Sequence, residues 1–195
     1  AKVNAIDIGS DLVASAKILA RVNHVDCKFE QGNIINLPFD TSTYDVVIGI
    51  SILHHLSEAD VVKALRECYR VLKVGGIAIF HEPVENSKLF DFIQNLFPVG
   101  KKGSGYYRPS ILYRKAWANY IKTADDRSLT NRELVSGGKK FFKVVRIFPY
   151  GFLIRLTRLI GNNYINTLLA LDRFLFKVFP LLRYYSQRVL VEYRK

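Results

Sequence analysis

Apolar residues repeat along this chain with two periods, and the switches between them mark the elements. From Tyr44 to Ile50 the run YDVVIGI is nearly continuous in β-branched residues, the pattern of a strand covered on both faces. A shorter strand, Cys27 to Glu30, precedes it and ends at Gly32-Asn33-Ile34. An earlier strand, Val3 to Ile8, carries Asp7 at its tip. Ser10 then stands where a cap is needed for a helix running to Val22, with Leu12, Val13, Ala16, Leu19 and Ala20 on its apolar side. Ser57, with Asp60 three positions on, predicts a capped helix whose Val61, Leu65, Cys68, Tyr69 and Leu72 form a core face and which Gly75-Gly76 closes. Ile77 to Phe80 is the next strand, with His81-Glu82-Pro83 at its carboxyl end.

The second half continues the alternation less regularly. Ser87 to Phe97 predicts a helix stopped by Pro98, and Lys101 to Arg108 a basic loop. Ser110 to Lys122 predicts a helix with Tyr113, Trp117 and Tyr120 on one face, the spacing of a core stripe or a pocket wall. Thr130 to Ser136 is a short helix with Glu133 at the capping-box position. Phe141 to Phe148 and Ser186 to Arg194 alternate as strands. Between them, Gly151 to Tyr185 is apolar and basic at once. Phe152, Leu153, Leu156, Leu159 and Ile160 share a side of one predicted helix, and Leu168, Leu171, Leu175 and Phe179 a side of a second, with Arg155, Arg158, Arg173 and Lys177 opposite. Helices this apolar must cover their faces with the sheet edge, a partner subunit, a greasy substrate or a bilayer interface. Strands alternating with helices predict an α/β fold, whose ligands gather at the carboxyl ends of the parallel strands.

The order G-N-x-x-x-L-P-F (residues 32–39), Y-D-V-V (44–47), L-H-H-L (53–56) and R-V-L-K-x-G-G (70–76) resembles the class I S-adenosylmethionine-dependent methyltransferases, in particular the UbiE-like small-molecule group. The resemblance runs over residues 3–83. It implies a Rossmann-like doubly wound sheet whose last two strands form an antiparallel edge, here separated by the helical insertion 151–185. It also implies S-adenosylmethionine as cofactor. On that resemblance Asp7 meets the ribose, Ile8 beside it belongs to the cofactor site, Asn33 holds the adenine amino group where the family more often has Asp, and the Ile34 N–H meets a ring nitrogen. Ile50 packs beside the cofactor, and Leu37-Pro38-Phe39 covers the adenine side. Taken as residues alone, Asp7 suits a nicotinamide cofactor or a turn before a helix equally well, and Asn33 suits a plain turn. His55, His81 and Glu82 are candidates for binding or deprotonating the acceptor, against a packing role at a helix entry or a polar strand end. No metal site is expected, because the His54-His55 pair has no third ligand at a suitable spacing. The family's first strand, helix and G-x-G-x-G loop come before the strand that ends in Asp7, whereas this chain begins there at Ala1 and contains no methionine. The chain is therefore expected to be an N-terminally incomplete fragment, inactive alone, with a gap or an exposed edge between the Asp7 strand and the Tyr44–Ile50 strand.

Charge adds a division of labour. Residues 1–97 hold 9 Lys+Arg against 12 Asp+Glu, net −3, and residues 98–195 hold 20 against 5, net +15. A basic half suggests an anionic partner or a merely solvated surface. The 49% hydrophobic content is that of a folded protein, and Cys27 and Cys68 are expected as reduced core thiols. The chain has no clear membrane-spanning run. One methyltransferase domain over 1–195 follows, with a cofactor-binding half (1–83) and a substrate or cap half (84–195). The expected activity is methyl transfer to a small-molecule, lipid-like or glycan-precursor acceptor. A non-catalytic scaffold of the same fold is the alternative. A nucleic-acid methyltransferase ranks third, since the sequence lacks N/D-P-P-Y/F and a Pro-Cys nucleophile. The expected setting is cytoplasmic, with peripheral contact to the inner face of a membrane through 151–185.

Overall fold

The two periods of the sequence fold into alternating strands and helices. In a computed structural model the described residues are 2–100, 107–123 and 129–195, the side chains of 122, 123 and 158 excepted. Most of the predicted basic loop 101–108, and the side chain of Arg158, lie outside the described residues. The first half comprises β1 (Asn4–Asp7), α1 (Ser10–Val22), β2 (Lys28–Gln31), β3 (Tyr44–Ile50), α2 (Glu58–Val71) and β4 (Leu72–Pro83). The second comprises α3 (Lys88–Asn95), α4 (Arg114–Thr123), α5 (Asn131–Gly138), β5 (Val144–Tyr150), α6 (Thr157–Ile160), α7 (Ile165–Val178) and β6 (Arg188–Arg194). The caps mostly follow the sequence. Ser57 accepts from the Asp60 N–H at 3.1 Å, and Thr130 from the Glu133 N–H at 3.1 Å. The exception is α1, where Gly9 takes the N-cap place and Ser10 begins the helix.

The strands form two sheets. β1 and β2 pair in parallel. β3, β4, β6 and β5 lie in that order, with β3 parallel to β4 and β6 antiparallel to both its neighbours. The last strand is thus antiparallel and the helical insertion separates it from β5, as the resemblance implies. The core lies in the second sheet and the helices against it. Val61, Leu65 and Cys68 are buried as predicted, together with Phe80, Leu134, Phe142, Val191 and Tyr193, while Tyr69 is half-buried. Leu72 is buried too, but it opens β4, and Gly75-Gly76 lie within that strand instead of closing α2. Two glycines set its closeness: a Cβ on Gly49 would lie 2.3 Å from the Phe80 ring, and one on Gly138 would lie 2.1 Å from the Tyr193 ring. Burial pushes the Cys68 thiol up to about 12, so it stays an inert apolar group. Cys27 is only half-buried, on the β1–β2 unit, and is no core thiol.

Two expectations about burial and register need correction. β3 is not covered on both faces: Val46, Ile48 and Ile50 are 45%, 68% and 69% exposed. β3 is the edge of its sheet, so the face its β-branched run was selected to bury has no cover among the described residues. α1 likewise leaves Leu12 and Leu19 open. The expected opening between the Asp7 strand and the Tyr44–Ile50 strand is therefore present, crossed by the Asn4 side-chain N–H, which donates to the Tyr44 hydroxyl at 2.6 Å. In the insertion, Phe152 to Ile160 is not one helix but a 3-10 turn (Leu153–Leu156) followed by the four residues of α6. That turn breaks the 3.6-residue register and rotates Arg155 inward. Its guanidinium donates to the Tyr185 carbonyl at 2.6 Å and stacks on Phe90 and Phe152 at 4.8 and 5.0 Å.

Candidate functional site

The carboxyl ends of β1 and β2 carry Asp7, Ile8, Asn33 and Ile34 of the predicted cofactor residues, while Ile50 ends β3 on the other sheet. Asp7 Oδ1 accepts the Gly9 N–H at 2.8 Å, which tightens the turn into α1. Asp7 Oδ2 takes no hydrogen bond among the described residues. The Gly32 N–H donates to the Asp7 carbonyl at 3.0 Å and the Gln31 side chain to the Ile8 carbonyl at 3.0 Å, so the two strand ends are tied side by side. Asn33 Oδ1 accepts the Ile35 N–H at 3.1 Å in an Asx turn. An amide oxygen has two lone pairs, so one acceptor site remains. The Ile34 N–H has no partner among the described residues. Ile34 itself packs against the core, whereas Ile8 and Ile50 are exposed.

The loop after Asn33 is held by α2. Glu67 accepts the Leu37 N–H at 3.0 Å, while Arg70 donates to Glu67 and to the Leu37 and Phe39 carbonyls at 3.0 and 2.7 Å. Arg70 holds the Glu67 carboxyl below the usual carboxylate range. The Leu37-Pro38-Phe39 segment is thereby fixed. This clasp escapes the sequence because Glu67 and Arg70 read as an ordinary helical ion pair.

At the ends of β3 and β4 the three acceptor-side candidates part ways. Glu82 is fully buried: Oε1 accepts the Ile52 and Leu53 N–H groups, each at 2.9 Å, and Oε2 meets His54 Nδ1 at 2.9 Å. It fixes the 3-10 turn Leu53–His55 that leads from β3 toward α2. His55 is exposed on that turn, its ring 4.0 Å from that of His54. His81 is half-buried and hydrogen-bonds through Nε2 to the Tyr150 hydroxyl, which reaches across β6 from β5. Burial and then the nearby Arg188 cation lower the His81 pKa, against the pull of Glu82. Burial raises that of Tyr150. At neutral pH the pair is therefore a neutral imidazole beside a protonated phenol, able to accept or relay a proton. Tyr150 is missed by sequence reasoning, because only the strand order β4-β6-β5 brings it to His81.

The groups present fit the adenosine part of S-adenosylmethionine: a carboxylate oxygen open at one strand tip, an open N–H and an amide acceptor at the next.

Comparisons with known proteins bear on the first part of the sequence and on the fold. The methyltransferase domain family matches residues 1–80. The chain is 33% identical over 94 residues to the uncharacterized methyltransferase YcgJ of Bacillus subtilis, a match covering 47% of this chain and 36% of the relative. It is 31% identical over 99 residues to the ubiquinone/menaquinone biosynthesis C-methyltransferase UbiE of Haemophilus ducreyi, covering 48% of this chain and 36% of the relative. These alignments span little more than a third of the relatives' length. The crystal structure of YcgJ superposes with a TM-score of 0.58 at 17% identity, over 100% of this chain and 82% of that one. The [4+2]-cyclase SpnF superposes with a TM-score of 0.57 at 17% identity, over 100% of this chain and 66% of that one. At such identities these structures establish the fold alone, and a cyclase among them shows that the fold does not dictate the reaction. The sequence match over residues 1–80 is thus to the methyltransferase domain family, and the fold is the one seen in class I methyltransferases.

Proposed function

We propose that this chain binds S-adenosylmethionine and supports methyl transfer to a small-molecule acceptor. The observation that carries the reading is the Asp7–Ile34 end of the first sheet, where an open carboxylate oxygen and an open backbone N–H stand on adjacent strand tips. Asp7 suits two neighbouring ribose hydroxyls, because two donors match one carboxylate. Asn33 and the Ile34 N–H suit the amino group and a ring nitrogen of adenine. Ile50 gives an apolar contact beside them, and the Leu37–Phe39 loop stays in place through Glu67 and Arg70. When bound, the cofactor supplies a methyl group already activated on a sulfonium. The work left to the protein is alignment and exclusion of water.

For the acceptor side, we assign to His81 with Tyr150 the removal of a proton from a hydroxyl or an acidic carbon, a role supported by their hydrogen bond and by the lowered His81 pKa. Glu82 serves by fixing the His54-His55 turn. A lipid-like or glycan-precursor acceptor is supported by the leucine- and phenylalanine-rich segment between β5 and β6. Calorimetric titration of S-adenosylmethionine into the protein tests the reading. Saturable binding that S-adenosylhomocysteine displaces is expected, and no heat or displacement at millimolar ligand overturns it.

A further inference from the structure

The outer face of α7 and of the turn after it combines apolar and basic side chains, none of them among the groups assigned above to the cofactor or to proton transfer. Leu171, Phe174, Val178 and Leu181 all stand in solvent, Phe174 at 63% and Leu181 at 84% exposure. At 100° per residue the first three form one row along the helix, about a third of a turn round from the buried Leu168, Asp172 and Phe176. Beside that row, Arg173 and Lys177 are exposed one turn apart, and Arg183 is exposed on the 3-10 turn Pro180–Tyr185. From Gly151 to Tyr185 the sequence holds a single acid, Asp172. That acid is 1% exposed and accepts the Leu153 N–H at 2.9 Å. The face therefore shows greasy side chains and cations to solvent and no carboxylate of its own segment.

We infer that this face docks on an anionic lipid surface. The row of Leu171, Phe174 and Val178 enters the headgroup–acyl boundary, and Arg173, Lys177 and Arg183 meet the phosphates. Charge argues against the other occupants of such a face. A symmetric contact with a second copy would set its cations against the same cations, with no acid of this segment to compensate. A nucleic acid would pair with the cations but leave the aliphatic row in water. The contact lies on the membrane and does not cross it, since among the described residues no helix is long and apolar enough to span. Arg155, which the sequence places on this basic side, takes no part because it is engaged with Tyr185, Phe90 and Phe152.

Flotation with vesicles tests the inference, because a floated protein cannot be mistaken for a pelleted aggregate. The protein is expected to float with vesicles of equal parts phosphatidylcholine and phosphatidylglycerol at low salt. It should float about tenfold less with phosphatidylcholine alone, and less with the mixed vesicles at high salt. Arg173→Glu with Lys177→Glu should weaken flotation by about tenfold or more, since each cation near such a surface is worth about fivefold. Phe174→Ser with Leu181→Ser should weaken it also at high salt, where screening leaves the apolar contribution. Arg173→Gln with Lys177→Gln, which introduces no repulsion, should give a smaller loss in the same direction. Equal partitioning to neutral and anionic vesicles overturns the inference, as does flotation with neither. So do unchanged binding by all three variants, a salt-resistant dimer abolished by the serine variant, and displacement from vesicles by single-stranded DNA at stoichiometric amounts.

Discussion

Asp7 divides its carboxylate: Oδ1 closes the turn into α1 through Gly9, and Oδ2 takes no hydrogen bond among the described residues. Asp7→Ala should weaken S-adenosylmethionine by about 2 kcal/mol or more in a calorimetric titration, because charge-assisted hydrogen bonds to ribose are lost. Asp7→Asn, which keeps an acceptor, should fall between. An unchanged dissociation constant in Asp7→Ala would remove Asp7 from the site. Glu82 is expected to act on stability instead. Glu82→Ala removes the acceptor of the Ile52 and Leu53 N–H groups and the partner of His54 Nδ1, and should lower the unfolding free energy by about 3 kcal/mol or more in urea, with Glu82→Gln costing less. A loss below about 1 kcal/mol would contradict its role as the acceptor that holds the turn. The difference between Asp7 and Glu82 is only partly legible in the sequence. Both are acids at strand tips, and tip position does not say which way a side chain points. Parity along β4 does: Ala78, Phe80 and Glu82 share one face and are all fully buried, while His81 points the other way. Nothing comparable announces Tyr150.

Capping chemistry placed the start of α2 at Ser57, but the helix ends at Val71 and Gly75-Gly76 fall inside β4. β3 has its predicted bounds, and what failed there is the expected burial, which depends on a neighbour. The β-branched run of β3 encodes burial on two faces, but a run cannot say whether a covering element is at hand, and here Val46, Ile48 and Ile50 stay open. An exposed apolar edge strand favours association. The 195-residue chain should self-associate at micromolar concentration, and Val46→Lys with Ile48→Lys should reduce that association in sedimentation velocity. A monomeric parent chain would show the edge to be harmless. α3 carries a second neighbour-dependent feature. Burial, with Glu85 nearby, lifts the Asp91 pKa to about 6 despite Arg155. The folded state then binds the Asp91 proton more tightly than the unfolded chain does. That contribution is complete below about pH 4, shrinks as pH rises, and is gone above about pH 6. Asp91→Asn removes the penalty of ionising a half-buried group. It should stabilise the protein by about 1 kcal/mol at pH 7.5, after discounting for solvent screening, and by little at pH 4. Thermal unfolding at both values checks it, and a destabilised variant at pH 7.5 would reverse the sign.

At the scale of the whole molecule, stability is unevenly shared between the two sheets. Within residues 2–36 the only buried apolar side chain is Val13, at 8% exposure, whereas Phe80, Val189, Val191 and Tyr193 in the larger sheet are at 0%. The sequence shows the order of these strands but not this inequality. The apolar positions of α1 and β3 look as core-like as those of α2, and only their exposure distinguishes them. Regions with few buried contacts open locally at low free-energy cost, while core strands open only with the global transition. Amide hydrogen exchange should therefore be fast in β1 and β2 and slowest in Ile77–Pro83 and Arg188–Arg194, which pair across the core. The cofactor groups Asp7, Asn33 and the Ile34 N–H all sit on the labile unit, so ligand binding and local folding must be coupled. A ligand held at about a hundred times its dissociation constant stabilises the binding-competent state by about 2.7 kcal/mol, which corresponds to roughly a hundredfold slower exchange wherever local opening destroys the site. With S-adenosylmethionine added, that slowing should appear at residues 4–8 and 31–36, and also in β4 and β6, because the global opening that exposes them destroys the site too. Uniform protection in the free protein, or slowing confined to the larger sheet, would show that the cofactor does not bind at the ends of β1 and β2.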